Sequence, residues 1–289
     1  MADRLHGAIA ASVTPLTAGG RALDLAAVGT LVDFLHRGGV DGALVAGTTG
    51  EGVLLTIEER RHLAEAFVDA RRSGFRIAIH AGAQTTADTI ALSAHAQRAG
   101  ADAVAVIAPP YFPLDDEELV RHFVSAASAA DPLPFYVYEF AGRSGYAIPP
   151  EVVTRVKAAA PNVVGMKVSD SPFEAVEPYL DLDLDVFIGN EPLALAGLER
   201  GAVGCVSGLG AAFPEIAAAL VHEQSPEAHD QVCMLRDRLA GIPFHAALKE
   251  VLSARGVLTT VDVRPPLRGL TDVERDAVVA AAREVGAIV

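Results

Sequence analysis

The feature that most constrains this chain is a regular alternation. Short, mostly apolar runs are separated by longer segments with helical caps and helical spacing. The runs occupy residues 9–13, 42–46, 76–80, 103–107, 135–138, 161–170, 185–189 and 202–207. Helical patterns follow at 24–36, 56–72, 86–98, 115–130, 150–159, from Ser171-Pro172-Phe173-Glu174 onward, 192–200 and 213–223. Thr56 with Glu59, and Asp115 with Glu118, have the spacing of a capping box. Pro172 falls at a first helical position, where its missing N–H costs nothing. The runs are apolar throughout rather than alternating, as expected of parallel strands covered on both faces. Eight strand–helix units in about 224 residues predict a closed (β/α)8 barrel, the TIM barrel, with a doubly wound sheet as the less economical arrangement.

Residues 225–289 hold no comparable apolar run. Helical spacing covers 228–255, interrupted near Gly241-Ile242-Pro243, and Thr271 with Glu274 marks a last capped helix. The expected division is a barrel at 1–224 and a C-terminal helical extension at 225–289.

Charge and cysteine usage narrow the function. Thirty-seven acidic residues against 23 basic ones give a net charge of −14, with no Lys/Arg cluster. That surface is a poor match for nucleic acid or an anionic membrane, so neither is expected as a partner. No apolar stretch approaches the roughly 18 residues a membrane span needs, and Met1-Ala2-Asp3-Arg4-Leu5-His6 lacks a secretory pattern. Cys205 and Cys233 have neither metal-like nor redox spacing, which fits a reduced, cytoplasmic enzyme. No His/Asp/Glu group has convincing ligand spacing, so no metal or other cofactor is expected.

In a barrel of this kind chemistry sits at the C-terminal strand ends. The chain has only three lysines, and Lys167 alone lies in an apolar strand, Val163-Val164-Gly165-Met166-Lys167-Val168. Alternation puts Val164, Met166 and Val168 on one face and Val163, Gly165 and Lys167 on the other, with Gly165 expected to leave space beside the amine. Lys157 and Lys249 lie in charged helical surroundings and are expected in solvent. An unpaired buried ammonium tends to lose its proton, and a free amine forms an imine with a ketone. Tyr138 ends the neighbouring strand, and imine chemistry needs a proton shuttle beside the amine. Gly47-Thr48-Thr49-Gly50-Glu51 ends the second strand with hydroxyls and bare amides, and 204–210 ends the eighth. Each has a plain alternative: a snorkelling lysine, a core aromatic, a turn, or glycines that permit close packing.

Gly47-Thr48-Thr49-Gly50-Glu51, Tyr138 followed by Gly142-Arg143-Ser144-Gly145, and Val164-Gly165-Met166-Lys167 resemble the dihydrodipicolinate synthase/N-acetylneuraminate lyase family. Ala81-Gly82-Ala83 and Gly204-Cys205-Val206-Ser207 extend the match in order and spacing over essentially the whole chain. The resemblance implies a class I lyase acting on pyruvate or on 2-oxo acids containing it, in a barrel with a helical extension, in many members a tetramer. It implies Lys167 as the imine-forming residue, Tyr138 as proton relay, and Thr48 and Thr49 on the pyruvate carboxylate. Arg143 would meet a carboxylate of the second substrate, an aldehyde or sugar acid, and the Val206 carbonyl would face the pyruvate-derived group. Two positions depart from the family: Phe112 stands where a relay tyrosine is usual, and Glu139 where asparagine is common. The expected function is condensation of pyruvate with an aldehyde, or cleavage of a 4-hydroxy-2-oxo acid. Dehydration of a deoxy-oxo sugar acid through the same imine, or a non-catalytic barrel that binds 2-oxo acids, are the alternatives.

Overall fold

A computed structural model of the chain describes residues 4–288. Eight parallel strands close on themselves: β1 (Gly7–Ala11), β2 (Gly42–Val45), β3 (Arg76–His80), β4 (Ala103–Ile107), β5 (Phe135–Glu139), β6 (Val163–Val168), β7 (Asp185–Ile188) and β8 (Gly204–Ser207). Each pairs with its sequence neighbours, and β8 pairs with β1 through Ile9 opposite Val206. The (β/α)8 barrel is the fold the alternation predicts. Boundaries shift by a residue or two, most at the first strand, which begins at Gly7 rather than residue 9.

The strands have no polar face because both faces are covered. Val104, Val106, Phe135, Val137, Met166 and Val168 point outward into the layer shared with the helices. Ile9, Leu44, Ala78, Ala103, Ala105, Tyr136, Phe187 and Val206 fill the lumen. The alanines of β3 and β4 make room for the two large rings opposite, Tyr136 and Phe187, whose centroids lie 5.9 Å apart edge to face.

The two capping boxes predicted within the barrel are formed, at Thr56 with Glu59 ahead of helix Ile57–Asp69 and at Asp115 with Glu118 ahead of helix Asp116–Ala130. The helix expected after the sixth strand is only a 3-10 turn, Phe173–Ala175, and one α-turn, Glu177–Leu180. A two-stranded hairpin of Leu16–Thr17 and Ala22–Leu23, unmarked by any apolar run, follows β1. After the last barrel helix, Pro214–His222, come helices Pro226–Arg238, Phe244–Ala254 and Asp272–Glu284, the last with its capping box at Thr271 and Glu274. Among the described residues no helix is long and apolar enough to cross a membrane.

The β5–β6 ladder carries an irregularity that alters the expected faces. Phe135 pairs with Val163 but Tyr136 with Gly165, so Val164 is an extra residue on β6. Val163 therefore turns outward and Val164 toward the lumen, the reverse of simple alternation. From Gly165 onward the expected faces hold. Nor does Gly165 leave space for an amine. A Cβ there would lie 2.6 Å from the Tyr136 ring and 2.3 Å from the Asp185 carbonyl oxygen. That glycine makes room for an aromatic ring.

Candidate active site

Parallel order brings the C-terminal ends of β5 and β6 together, and the register sets Tyr138 opposite Lys167. Both are buried, and the Lys167 Nζ lies 4.3 Å from the centroid of the Tyr138 ring. The Tyr138 hydroxyl is 3.3 Å from Thr48 Oγ1, at the end of β2 across the mouth. The Thr48 hydroxyl, expected on a substrate carboxylate, is thus engaged by the phenol. Thr49 is buried beside it, and Val206 lines the lumen at the end of β8.

What sets Lys167 apart is its lack of an acid. Lys157 pairs with Asp183 at 2.7 Å. Lys249, expected in solvent, is wholly buried and pairs with Glu51 at 2.6 Å. Lys167 pairs with no carboxylate among the described residues. Its stem runs against Gly189, just past β7: a Cβ at Gly189 would come within 2.7 Å of Lys167 Cε and 1.9 Å of Ser169 Oγ. Gly189 is the glycine that admits the lysine. Ser169, two residues along, has a buried hydroxyl without a hydrogen-bond partner.

His80 was not singled out by the motif reading, yet it belongs here. It shares the lumen parity of Ala78 and meets the Tyr138 ring edge to face at 6.0 Å. Burial, the Arg60 guanidinium and the Lys167 ammonium push its pKa down to about 3, so the imidazole is neutral. Arg60 is held by the carbonyls of His80 and Gly82, at 2.6 Å and 2.8 Å. Alternation of faces at β3 was the available signal.

A cavity of about 720 Å³ opens at this end of the barrel, lined by Thr48, His80, Gln84, Arg143, Phe244 and His245 among others. Lys167 and Tyr138 do not line it; Thr48 connects the two. Arg143, on the short helix Ala141–Ser144, is exposed and rests its guanidinium 5.6 Å from the centre of the Phe140 ring. It pairs with neither Glu139 nor Asp170. Phe112 and its neighbour Tyr111 are exposed, with ring centroids 4.8 Å apart.

Glu139 does not add a carboxylate to the mouth. It follows Tyr138 by one residue and points to the opposite face, where its Oε2 accepts the Ile148 N–H at 2.9 Å. Asp170 lies beside the same carboxyl group. Burial, with Asp170 close by, lifts this acid to about 8, so it is protonated at neutral pH. Among the described residues no group of three or more His, Cys, Asp or Glu is placed to hold a metal ion.

Comparison with known proteins places the chain in a family and matches its fold. The model of the dihydrodipicolinate synthetase family matches residues 4–285. A 4-hydroxy-tetrahydrodipicolinate synthase of Synechococcus sp. (strain CC9605) is 35% identical over 274 residues, 91% of this chain and 90% of that protein. The N-acetylneuraminate lyase of Proteus mirabilis superposes with a TM-score of 0.90 at 28% identity, over 99% of this chain and 100% of the other. A prophage protein of the dihydrodipicolinic acid synthase family from E. coli K12, solved in complex with pyruvate, superposes with a TM-score of 0.88 at 25% identity, over 97% of this chain and 98% of that one.

Proposed function

Since the chain belongs to the dihydrodipicolinate synthetase family, we propose that it is a class I lyase whose Lys167 forms a Schiff base with pyruvate or a pyruvate-containing 2-oxo acid. The observation that carries this is the buried Lys167 amine, paired with no carboxylate among the described residues and 4.3 Å from the centre of the Tyr138 ring at the C-terminal mouth.

The lysine attacks the ketone carbon in its unprotonated form, and loss of water leaves a protonated imine. The iminium withdraws electrons, so the adjacent methyl loses a proton and becomes an enamine nucleophile. The enamine attacks an aldehyde in the synthetic direction; in cleavage it is the fragment left when a 4-hydroxy-2-oxo acid breaks its C–C bond. Tyr138 exchanges protons with the reacting oxygen and carbon, and its bond to Thr48 gives the proton a path toward the mouth. Thr49 and the amides of its loop hold the carboxylate beside the ketone, and the Val206 carbonyl closes the far side. Arg143, exposed and paired with no acid among the described residues, is available to a second carboxylate.

The unpartnered Ser169 hydroxyl favours a substrate with a hydroxyl beyond the imine carbon. That suits cleavage of a 4-hydroxy-2-oxo acid, and it equally suits dehydration of a deoxy-oxo sugar acid. Val53, and the adjoining rings of Tyr111 and Phe112, are large apolar side chains left exposed, which supports assembly with further copies of the chain, as a tetramer. Two unpaired cysteines support a cytoplasmic setting.

The test is borohydride reduction in the presence of pyruvate, followed by intact mass and peptide mapping. The adduct is expected on Lys167, absent from Lys167→Ala and retained in Lys157→Ala. No adduct on the wild type, or an adduct mapped to another lysine, removes the proposal.

A further inference from the structure

The helices beyond residue 225 hold buried charges that the chemistry above does not use. Lys249, on helix Phe244–Ala254, donates to Glu51 Oε1 at 2.6 Å and to the Asp262 carbonyl at 2.6 Å. The other Glu51 oxygen accepts the Arg264 N–H at 2.6 Å. Neither Lys249 nor Glu51 reaches solvent. From the same helix, His245 Nε2 meets the Thr48 carbonyl at 3.0 Å.

Glu51 closes the loop that carries Thr48 and Thr49, and it does so in a left-handed conformation, φ 56°, which side-chain-bearing residues disfavour. Its own backbone is tied to that loop, since the Glu51 N–H donates to the Thr48 carbonyl at 3.1 Å. A loop held in such a backbone state needs an outside constraint, and the constraint is the lysine, 198 residues away in sequence.

The arrangement recurs at the end of β8. Glu191, fully buried, accepts from Ser207 Oγ at 2.9 Å and from the Leu209 N–H at 3.0 Å. Its second oxygen takes the guanidinium of Arg236, on helix Pro226–Arg238, with Nε at 3.0 Å. The loop after β2 ends on a buried carboxylate, Glu51, and the end of β8 is bonded to another, Glu191, which follows β7; each is paired with a cation from the C-terminal helices.

We propose that residues 225–289 form part of the catalytic unit rather than an appendage, with Lys249 the positioning residue for Thr48 and Thr49 through Glu51. Arg236 does the same for the Val206–Ser207 strand end through Glu191. This rests on the Schiff-base reading for what the threonines bind. Removing one charge of a buried pair strands the other, whereas removing both leaves an uncharged pair.

The test compares Lys249→Met, Glu51→Gln and the double variant with the wild type. Hydrogen exchange at the amides of residues 47–52 reads the loop without reference to activity, with the strand amides of β2 as internal control. Both single variants should exchange faster at 47–52 than the wild type, with β2 unchanged, and the double variant should recover part of the protection. The KM for pyruvate should rise about ten- to hundredfold in Lys249→Met, as expected for a contact displaced by about 1 Å. The Lys167 adduct should still form at saturating pyruvate. Exchange that quickens evenly through the barrel, or wild-type exchange and KM in folded variants, overturns the proposal. If Lys249→Met does not fold, Glu51→Gln and the double variant decide the same comparison. If the wild type forms no pyruvate adduct, the Schiff-base reading fails, and hydrogen exchange alone decides the positioning role.

Discussion

Glu139 makes the stability of this protein fall as the solution turns alkaline, in a window where most proteins are indifferent to pH. The perturbation is Glu139→Gln, which keeps the shape of the protonated acid: the amide oxygen can accept the Ile148 N–H, and the amide nitrogen can face Asp170. The acid rises from its ordinary 4.5 to about 8 in the fold. A carboxyl with a raised folded pKa binds a proton that the unfolded chain has released. Its contribution is therefore complete below the unfolded value and is lost as pH rises through the folded one. His80 and His122 act in the opposite sense. Burial, joined at His80 by the Arg60 and Lys167 cations, pushes them down from 6.5 to about 3 and about 4. Their contribution is fully present above 6.5 and lost on acidification. Between about pH 6.5 and 8, then, the fall at Glu139 is opposed only by the last part of the rise from the two histidines, whose unfolded value of 6.5 borders the window. One proton per molecule sets a limiting slope of about −1.4 kcal/mol per pH unit; with Glu139 half ionised by pH 8 and the histidines acting in the opposite sense, the net loss over that window is about 1 kcal/mol. Other groups facing the site are Asp170, Tyr146 and Tyr179, and burial raises both tyrosines above their ordinary value, so neither ionises there. The assay is urea unfolding at fixed protein concentration across pH 6.5 to 8. The wild type should lose stability with rising pH, and Glu139→Gln should stay level or rise by less than about 1 kcal/mol as the two histidines complete their contribution. A flat or rising wild-type profile, or the same slope in Glu139→Gln, refutes the reasoning.

Two further outcomes concern the site. Gly189→Ala places a methyl 2.7 Å from Lys167 Cε and 1.9 Å from Ser169 Oγ, so borohydride trapping with pyruvate should slow about a hundredfold. Stability should fall by about 1–3 kcal/mol from overpacking; trapping at the wild-type rate would show that Gly189 does not shape the lysine's berth. Arg143→Ala should lower kcat/KM about ten- to hundredfold for an aldehyde or oxo acid that ends in a second carboxylate, the loss of one charge-assisted contact of about 1.5–3 kcal/mol. Neutral aldehydes tested in parallel should be unaffected, and equal losses on both classes would mean that Arg143 reads no carboxylate.

Local chemistry determined much of this protein. Strands covered on both faces must be apolar throughout, and helices must start where a side chain can satisfy their free N–H groups, so the eight units and the boxes at Thr56, Asp115 and Thr271 are written in adjacent residues. Once the strands are parallel and sequential, Tyr138 and Lys167 must be neighbours. Tertiary structure decided the rest. The extra residue at Val164 reversed the faces at the start of β6, because strand parity survives only while the ladder is regular. Gly189, not Gly165, admits the lysine, since which side chain fills a glycine's space depends on the strand across the barrel. Glu139 points away from the mouth beside which it stands in sequence. Lys249 lies in a helix of ordinary charge pattern, and only barrel closure and the docking of that helix brought it to Glu51. A charge becomes buried, paired and consequential through contacts that close over nearly two hundred residues, and no local pattern carries that information.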